Sequence, residues 1–165
     1  MTAPAIAPAR GRDLIDPVLF DRLAADVCRD HGHPAELSER IVDQALAFLA
    51  ACAGTAEPIG PSALVDLGWH AFILRTEAYR AFCERVADRM IDHCPIDPDA
   101  THASGAETHA LLERSIAAVR ATGLHYDPAL WACAASCDDS DKGGPGSGTG
   151  NCSQCHQGCT DSTAK

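Results

Sequence analysis

The sequence predicts an all-α protein, a compact bundle of about five or six helices followed by a flexible Gly- and Cys-rich C-terminal tail. Apolar residues recur at the three- and four-residue spacing of amphipathic helices, and no stretch alternates with period two for long enough to predict a sheet. The apolar fraction of 46% is sufficient for a hydrophobic core. After residue 135 apolar residues become scarce, and Gly, Ser and Asp dominate as in a flexible linker.

The first three helices are bounded by residues that favour helix ends. Asp16 and Pro17 predict the start of the first helix, because Asp caps the N-terminus and Pro has a preset φ. A Gly and a Pro within residues 32–34 end this helix, and a second helix carries an apolar stripe as far as the loop over residues 54–62. The last residue of that loop, Ser62, is predicted to cap the third helix.

The remaining helices follow from the same periodicity. A fourth helix is predicted to begin near Thr76 and to carry its apolar face as far as Met90. A fifth helix is predicted from residue 106, with Gly123 closing it, and a second Asp-Pro pair predicts a short last helix over residues 127–136. We therefore expect a disordered N-terminus over residues 1–12, a helical domain over residues 13–135 and a flexible Cys-rich tail over residues 136–165.

Composition restricts the partners and the compartment. The formal charge of −10 argues against a nucleic-acid partner, because phosphate binding needs a basic surface. The N-terminus has neither the positive start nor the continuous apolar stretch of a secretory signal, and no apolar run approaches the length of a membrane span. We therefore predict a cytoplasmic protein with no membrane partner, in which the nine cysteines are mostly reduced.

The third helix carries a histidine and an aspartate with the spacing of a functional pair. Asp66 and His70 are four residues apart, so they share one helix face. Either both ligate one metal ion, or Asp66 orients His70, or the two form an ordinary structural hydrogen bond. His93, at the far end of the following helix, could return toward His70 if the two helices pack antiparallel. The candidates for a catalytic site are Asp66, His70, Tyr79 and His93, with Tyr79 as a proton donor.

The same stretch resembles a known family. The pattern V-D-x-x-W-H, a Tyr nine residues later, a Phe-Cys pair and a His shortly before a Pro resemble the glycine-rich domain-containing protein-like family. The matching positions are Val65, Asp66, Trp69, His70, Tyr79, Phe82, Cys83, His93 and Pro95. The stretch "TGLHYDPALW" is similar to the short bacterial members, so the resemblance covers residues 16–131. It implies that Asp66, His70, Tyr79 and His93 share a site, and it implies no particular reaction.

Five of the nine cysteines lie after residue 132, in the pattern C-x3-C-x14-C-x2-C-H-x2-C. Two close cysteine pairs separated by a turn-rich spacer are typical of a four-thiolate zinc site, and thiolate sulfur suits Zn²⁺ or Cu⁺. The predicted metal ligands are Cys133, Cys137, Cys152, Cys155, His156 and Cys159. The predicted function is therefore that of a small cytosolic metal-binding protein that holds zinc or Cu(I) through thiolates of the tail.

Other interpretations of these residues stay open. The C-x-x-C-H over residues 152–156 is also the attachment signature of c-type haem, but that attachment takes place outside the cytoplasm, which argues against covalent haem. The tail also resembles the modified part of a precursor of a ribosomally made peptide. A third class is a metal-dependent enzyme that uses the His/Asp site of the helical domain. The other histidines, including His125, are interpreted as ordinary surface residues.

Overall fold

The computed structural model describes residues 9–94 and 105–132, and the predicted all-α class is confirmed: within these ranges there are five α-helices, two short 3-10 helices and no strand. The α-helices are α1 (Pro17–His31), α2 (Ala35–Gly54), α3 (Ala63–Ile73), α4 (Thr76–Ala87) and α5 (Gly105–Ala121). An N-terminal 3-10 helix spans Gly11–Leu14, and a C-terminal 3-10 turn spans Pro128–Leu130. No described helix combines the length and the apolar character needed to cross a membrane.

Helix α2 is the central element of the bundle, because it contacts α1, α3, α4, α5 and the N-terminal 3-10 helix. Its sequence is apolar on more than one face, as expected for a helix surrounded by others. Phe48 lies near its middle, with its ring centroid 5.4 Å from that of Trp69 and 6.1 Å from that of Trp131. The core therefore joins α2 to α3 and to the chain that follows α5.

The predicted helix starts are confirmed by their caps. The Asp16 carboxylate accepts hydrogen bonds from the backbone N–H groups of Val18 and Leu19, which begins α1. The Ser62 hydroxyl accepts from the backbone of Val65 at the start of α3, and it donates to the carbonyl of Leu130 at 2.5 Å. The cap of α3 is thus tied to the C-terminal 3-10 turn.

A glycine sets the orientation of α3. A Cβ atom on Gly68 would lie 2.8 Å from the Cβ atom of Ala45 and 3.0 Å from the carbonyl oxygen of Ile41, so only glycine permits this approach of α3 to α2. Asp66 and His70 lie two residues before and after Gly68. Two residues correspond to a rotation of about 200° around a helix, so both side chains are directed away from α2.

Helix α4 ends earlier than the sequence predicts. It stops at Ala87, because Asp88 adopts a left-handed conformation with φ 51° and its N–H bonds to the carbonyl of Glu84. The prediction that the helix continues to Met90 is therefore wrong, and Met90 is 47% exposed. Residues 88–94 form a non-helical segment, which we call the return segment and which carries His93.

The N-terminal boundary also differs from the prediction. Residues 9–12, which we expected in the disordered N-terminus, pack on α2 and on the chain that follows α5. The backbone N–H of Arg12 donates to the Asp43 carboxylate at 2.9 Å, and the N–H of His125 donates to the carbonyl of Ala9 at 2.8 Å. At the other end, the described part of the predicted last helix is only the C-terminal 3-10 turn and the buried Trp131.

Candidate metal centre

Three metal-ligating side chains come together from two separate parts of the chain. Asp66 and His70 lie on α3, and His93 lies on the return segment. Each offers one ligand atom, and these atoms all lie within 4.8 Å of one another. The prediction that His70 and His93 lie within side-chain reach is therefore confirmed, although His93 reaches the site from beyond the end of α4 rather than from a helix.

The Asp66 carboxylate lies between the two imidazole rings. Its Oδ1 atom is 2.9 Å from Nε2 of His93, and its Oδ2 atom is 3.2 Å from Nδ1 of His70. The Nδ1 atom of His70 also lies 3.0 Å from the backbone carbonyl oxygen of Asp66. The two rings pack edge to face, with centroids 4.4 Å apart. We call this group the Asp66 cluster.

Hydrogen bonding controls the charge of the cluster. Burial raises the pKa of Asp66, but the hydrogen bonds and the charges of His70 and His93 lower it by more, and the pKa lies below its ordinary value of 3.8. The hydrogen bond to Asp66 raises the pKa of His70 above its ordinary value of 6.5, with burial acting in the opposite direction. The carboxylate is therefore ionised at neutral pH, and it attracts either a proton on an imidazole or a cation between the ligands.

The cluster is neither sealed nor fully solvated. The side chains of Asp66 and His70 are 29% and 34% exposed, and that of His93 is 15% exposed. The side chains that carry the ligand atoms are therefore partly open to solvent.

The donor atoms and their spacing fit a metal ion. Ligand atoms at about 2.0–2.2 Å from a tetrahedral ion lie about 3.3–3.6 Å from one another. In the Asp66 cluster the two imidazole nitrogens approach different carboxylate oxygens, at 2.9 Å from Oδ1 and 3.2 Å from Oδ2, and the three ligand atoms lie within 4.8 Å of one another. Side-chain shifts of about an ångström would bring them to the spacing of a tetrahedral site. Two imidazoles and one carboxylate suit Zn²⁺ or Fe²⁺, whereas Cu⁺ prefers thiolate sulfur.

Tyr79 lies in the interior rather than at the ligand atoms. Its side chain is 1% exposed, and its hydroxyl accepts from Nε1 of Trp69 at 2.9 Å and donates to the carbonyl of Ile91 at 2.6 Å. Burial raises the pKa of Tyr79, and the Cys83 thiol is a further neighbour of the hydroxyl. The Tyr79 hydroxyl is therefore buried and donates its proton to a backbone carbonyl, and its predicted role as a proton donor stays a prediction.

The predicted thiolate site of the tail lies outside the described residues. All of its predicted ligands lie beyond residue 132: Cys133, Cys137, Cys152, Cys155, His156 and Cys159. The described cysteines are free thiols. Cys83 is fully buried and Cys52 is half-buried, and burial raises the pKa of Cys52 to about 12. Cys94 is exposed beside His93.

A second polar cluster was not predicted. Asp43 is buried on α2, where it and Gln44 interrupt an apolar run, and that interruption is the signal that could have revealed it. Nδ1 of His125 lies 4.0 Å from Oδ2 of Asp43, so His125 is not the ordinary surface residue that we expected. The Gln44 amide bonds to the carbonyl of His125, to the N–H of Asp127 and to the indole N–H of Trp131. This cluster joins α2 to the chain that follows α5.

Fold and site together define a small helical-bundle protein with a candidate centre of two histidines and one carboxylate. The model of the UCP032817-like family, an uncharacterised family, matches residues 12–111, and the chain belongs to this family. The matched region contains Asp66, His70, Tyr79 and His93 and ends before the tail. No curated protein and no solved structure matches the chain.

Proposed function

We propose that this protein binds a divalent transition-metal ion, Zn²⁺ or Fe²⁺, through Asp66, His70 and His93. The observation that carries the proposal is the convergence of three ligand atoms within 4.8 Å from α3 and from the return segment. Two ligands from one helix could arise from an ordinary i, i+4 pair, as between His109 and Glu113 on α5. The third ligand comes from a distant part of the chain and turns that pair into a metal-binding geometry.

Three protein ligands leave room in the coordination sphere. Catalytic zinc sites hold the ion with three side chains and keep a further position for water or substrate, and sites of two histidines and one carboxylate with open positions are typical of non-haem iron enzymes. The partial exposure of Asp66 and His70 favours such an exchangeable position. This supports the alternative of a metal-dependent enzyme, with no reaction assigned.

The test requires a chain in which the tail cannot bind the metal. The full-length protein is prepared with its tail ligands replaced: Cys133→Ser, Cys137→Ser, Cys152→Ser, Cys155→Ser, His156→Gln and Cys159→Ser. We call this variant the tail-substituted protein. After purification without chelators or an affinity metal, elemental analysis and Zn²⁺ titration are expected to show one equivalent of bound metal per chain.

Variants of the cluster then locate the metal. His70→Ala and His93→Ala are each expected to lower the affinity for Zn²⁺ by at least about 100-fold, because loss of a direct ligand exceeds the 10–100-fold cost of losing an outer partner. His109→Ala is the matched control, since His109 faces Glu113 at 3.7 Å on an exposed helix surface. The proposal fails if the tail-substituted protein binds no metal, or if the His70→Ala variant titrates like the His109→Ala control.

The tail remains a separate prediction. In the natural sequence, a second equivalent of Zn²⁺ or Cu⁺ is expected on the tail thiolates, and Co²⁺ substitution would then add a thiolate-to-metal charge-transfer absorption. A precursor of a modified peptide would instead show a mass different from that of the sequence. We also propose that the chain is related to the glycine-rich domain-containing protein-like family, which the stretch from Val65 to His70 supports. A cytoplasmic location is part of the same proposal.

A further inference from the structure

The return segment has few anchors. It begins where α4 stops at Ala87, so no helical hydrogen bonds fix the backbone of His93. Besides the contacts of His93 with Asp66 and Trp69, it is held by a hydrogen bond from Nη2 of Arg89 to the carbonyl of Cys52, by the burial of Ile91 and by the hydrogen bond from the Tyr79 hydroxyl to the carbonyl of Ile91. Ile91, which accepts the bond from Tyr79, lies two residues before His93.

A buried hydrogen-bond chain links this anchor to α3. The indole N–H of Trp69 donates to the Tyr79 hydroxyl at 2.9 Å, and that hydroxyl donates to the carbonyl of Ile91 at 2.6 Å. Trp69 directly precedes His70 on α3, and its ring meets the ring of His93 edge-on with centroids 4.4 Å apart. The Trp69 side chain therefore contacts both the Tyr79 hydroxyl, which bonds to the return segment, and the imidazole of His93, which that segment carries.

We propose that Trp69 and Tyr79 are positioning residues of the metal site: their hydrogen-bond chain to the carbonyl of Ile91 holds His93 over Asp66. This inference rests on the proposed function and assigns Tyr79 a role different from the proton donor that the sequence predicts. Neither residue belongs to the proposed ligand set. Each acts through His93, whose Nε2 must remain near Oδ1 of Asp66 for the three ligands to converge.

A purely structural role of Tyr79 predicts something different. Its ring packs against Phe72, with centroids 5.2 Å apart, and loss of this ring would lower the stability of the core wherever the metal binds. Tyr79→Phe keeps the ring and removes only the hydroxyl, so packing is preserved and the hydrogen bond to Ile91 is lost. If Tyr79 positions His93, Tyr79→Phe therefore lowers the metal affinity by more than its loss of stability explains.

The experiment compares two buried hydroxyls in the tail-substituted protein. Tyr79→Phe is expected to weaken Zn²⁺ binding by about 10- to 100-fold, the usual cost of losing a group that orients a ligand. Ser115→Ala is the matched control: Ser115 is fully buried, donates to the carbonyl of Leu111 and accepts from the N–H of Gly60. The control is expected to lower the melting temperature while leaving the affinity within about twofold of the parent, because no described contact joins Ser115 to the Asp66 cluster.

A second measurement separates this inference from the proposed function. In the metal-free protein, the ¹⁵N chemical shift of Nε2 of His93 reports its hydrogen bond to Asp66. Tyr79→Phe is expected to change that shift, and Ser115→Ala is not. If Tyr79→Phe fails to fold, Trp69→Phe removes the indole donor to the Tyr79 hydroxyl; because the Trp69 ring also contacts His93, this variant is judged by its Zn²⁺ affinity relative to its loss of stability.

Each outcome decides the inference. If the parent binds no metal, the proposed function fails, and a changed shift of His93 in Tyr79→Phe still supports positioning. An unchanged shift together with unchanged Zn²⁺ affinity, accompanied by a lowered melting temperature like that of Ser115→Ala, would overturn it.

Discussion

Two aspartates of this protein face histidine rings, and their surroundings differ. Asp66 is 29% exposed and places one carboxylate oxygen against each of two imidazoles, His70 and His93. The side chain of Asp43 is only 4% exposed, and its carboxylate accepts hydrogen bonds from the backbone N–H of Arg12 and from the amide of Gln44. Nδ1 of His125 lies 4.0 Å from Oδ2 of Asp43.

The difference separates the proposed metal site at Asp66 from a structural contact at Asp43. For a buried carboxylate that accepts from main-chain and amide donors, exchange of these partners is costly, because a buried donor is left without an acceptor. A partly exposed carboxylate between imidazoles can exchange a proton for a metal ion, because the same nitrogen atoms serve as donors or as ligands. Asp43 joins the N-terminal 3-10 helix to α2, whereas Asp66 joins α3 to the return segment through groups that a metal can use.

The largest expected effect comes from matched truncations of the two carboxylates. In the tail-substituted protein, Asp66→Ala is expected to lower Zn²⁺ affinity by at least about 100-fold, with a stability change below about 1 kcal/mol, because the group is partly exposed. Asp43→Ala is expected to lower the free energy of unfolding by about 2 kcal/mol, because the part-buried N–H of Arg12 loses the buried Asp43 carboxylate as its acceptor, and to leave Zn²⁺ affinity unchanged. Zn²⁺ titration and denaturant unfolding measure both quantities.

The contrast between the two aspartates would be lost if both substitutions affected affinity and stability in parallel. A parallel loss would show that the Asp66 cluster is a structural contact as well. An Asp66→Ala variant that keeps its affinity would remove Asp66 from the ligand set.

The two clusters were not equally predictable from the sequence. The Asp66–His70 pair follows from its spacing of four residues, because helix geometry is local. The position of His93 does not follow from the sequence. It depends on Asp88, which ends α4 early by adopting a left-handed conformation although it is not a glycine. Asp43 was visible only as a polar break in an apolar helix, since its backbone donor, Arg12, lies 31 residues away in a segment that we expected to be disordered.

The pH dependence of metal binding is the next largest effect. A histidine binds a metal only as the neutral imidazole, and the hydrogen bond to Asp66 raises the pKa of His70 above 6.5. Zn²⁺ affinity should therefore begin to fall at a pH above 6.5 as the solution is acidified, by about tenfold per pH unit for each proton displaced. Competition titrations of the tail-substituted protein across neutral and mildly acidic pH measure this slope.

The Asp43→Ala variant is the control for the pH dependence of Zn²⁺ affinity. Asp43→Ala should give the same pH dependence as the parent, because Asp43 bonds to neither imidazole of the Asp66 cluster. Affinity that does not change with pH would show that no imidazole is deprotonated on binding and would contradict the proposed ligand set.

The smallest expected effect concerns the tail. Trp131 is the last residue of the described core, and its indole N–H donates to the side chain of Gln44, next to Asp43 in the sequence. The described contacts around Asp43 therefore end at Trp131. Deleting residues 138–165 should therefore leave the melting temperature unchanged, since it removes none of the described core. A chain ending at residue 130 is the control: it loses the buried Trp131, at a cost of about 3–5 kcal/mol, and its melting temperature should fall by well over 10 °C. If the 138–165 deletion lowers the melting temperature as the control does, the tail is part of the folded domain, and the predicted boundary near residue 135 is wrong.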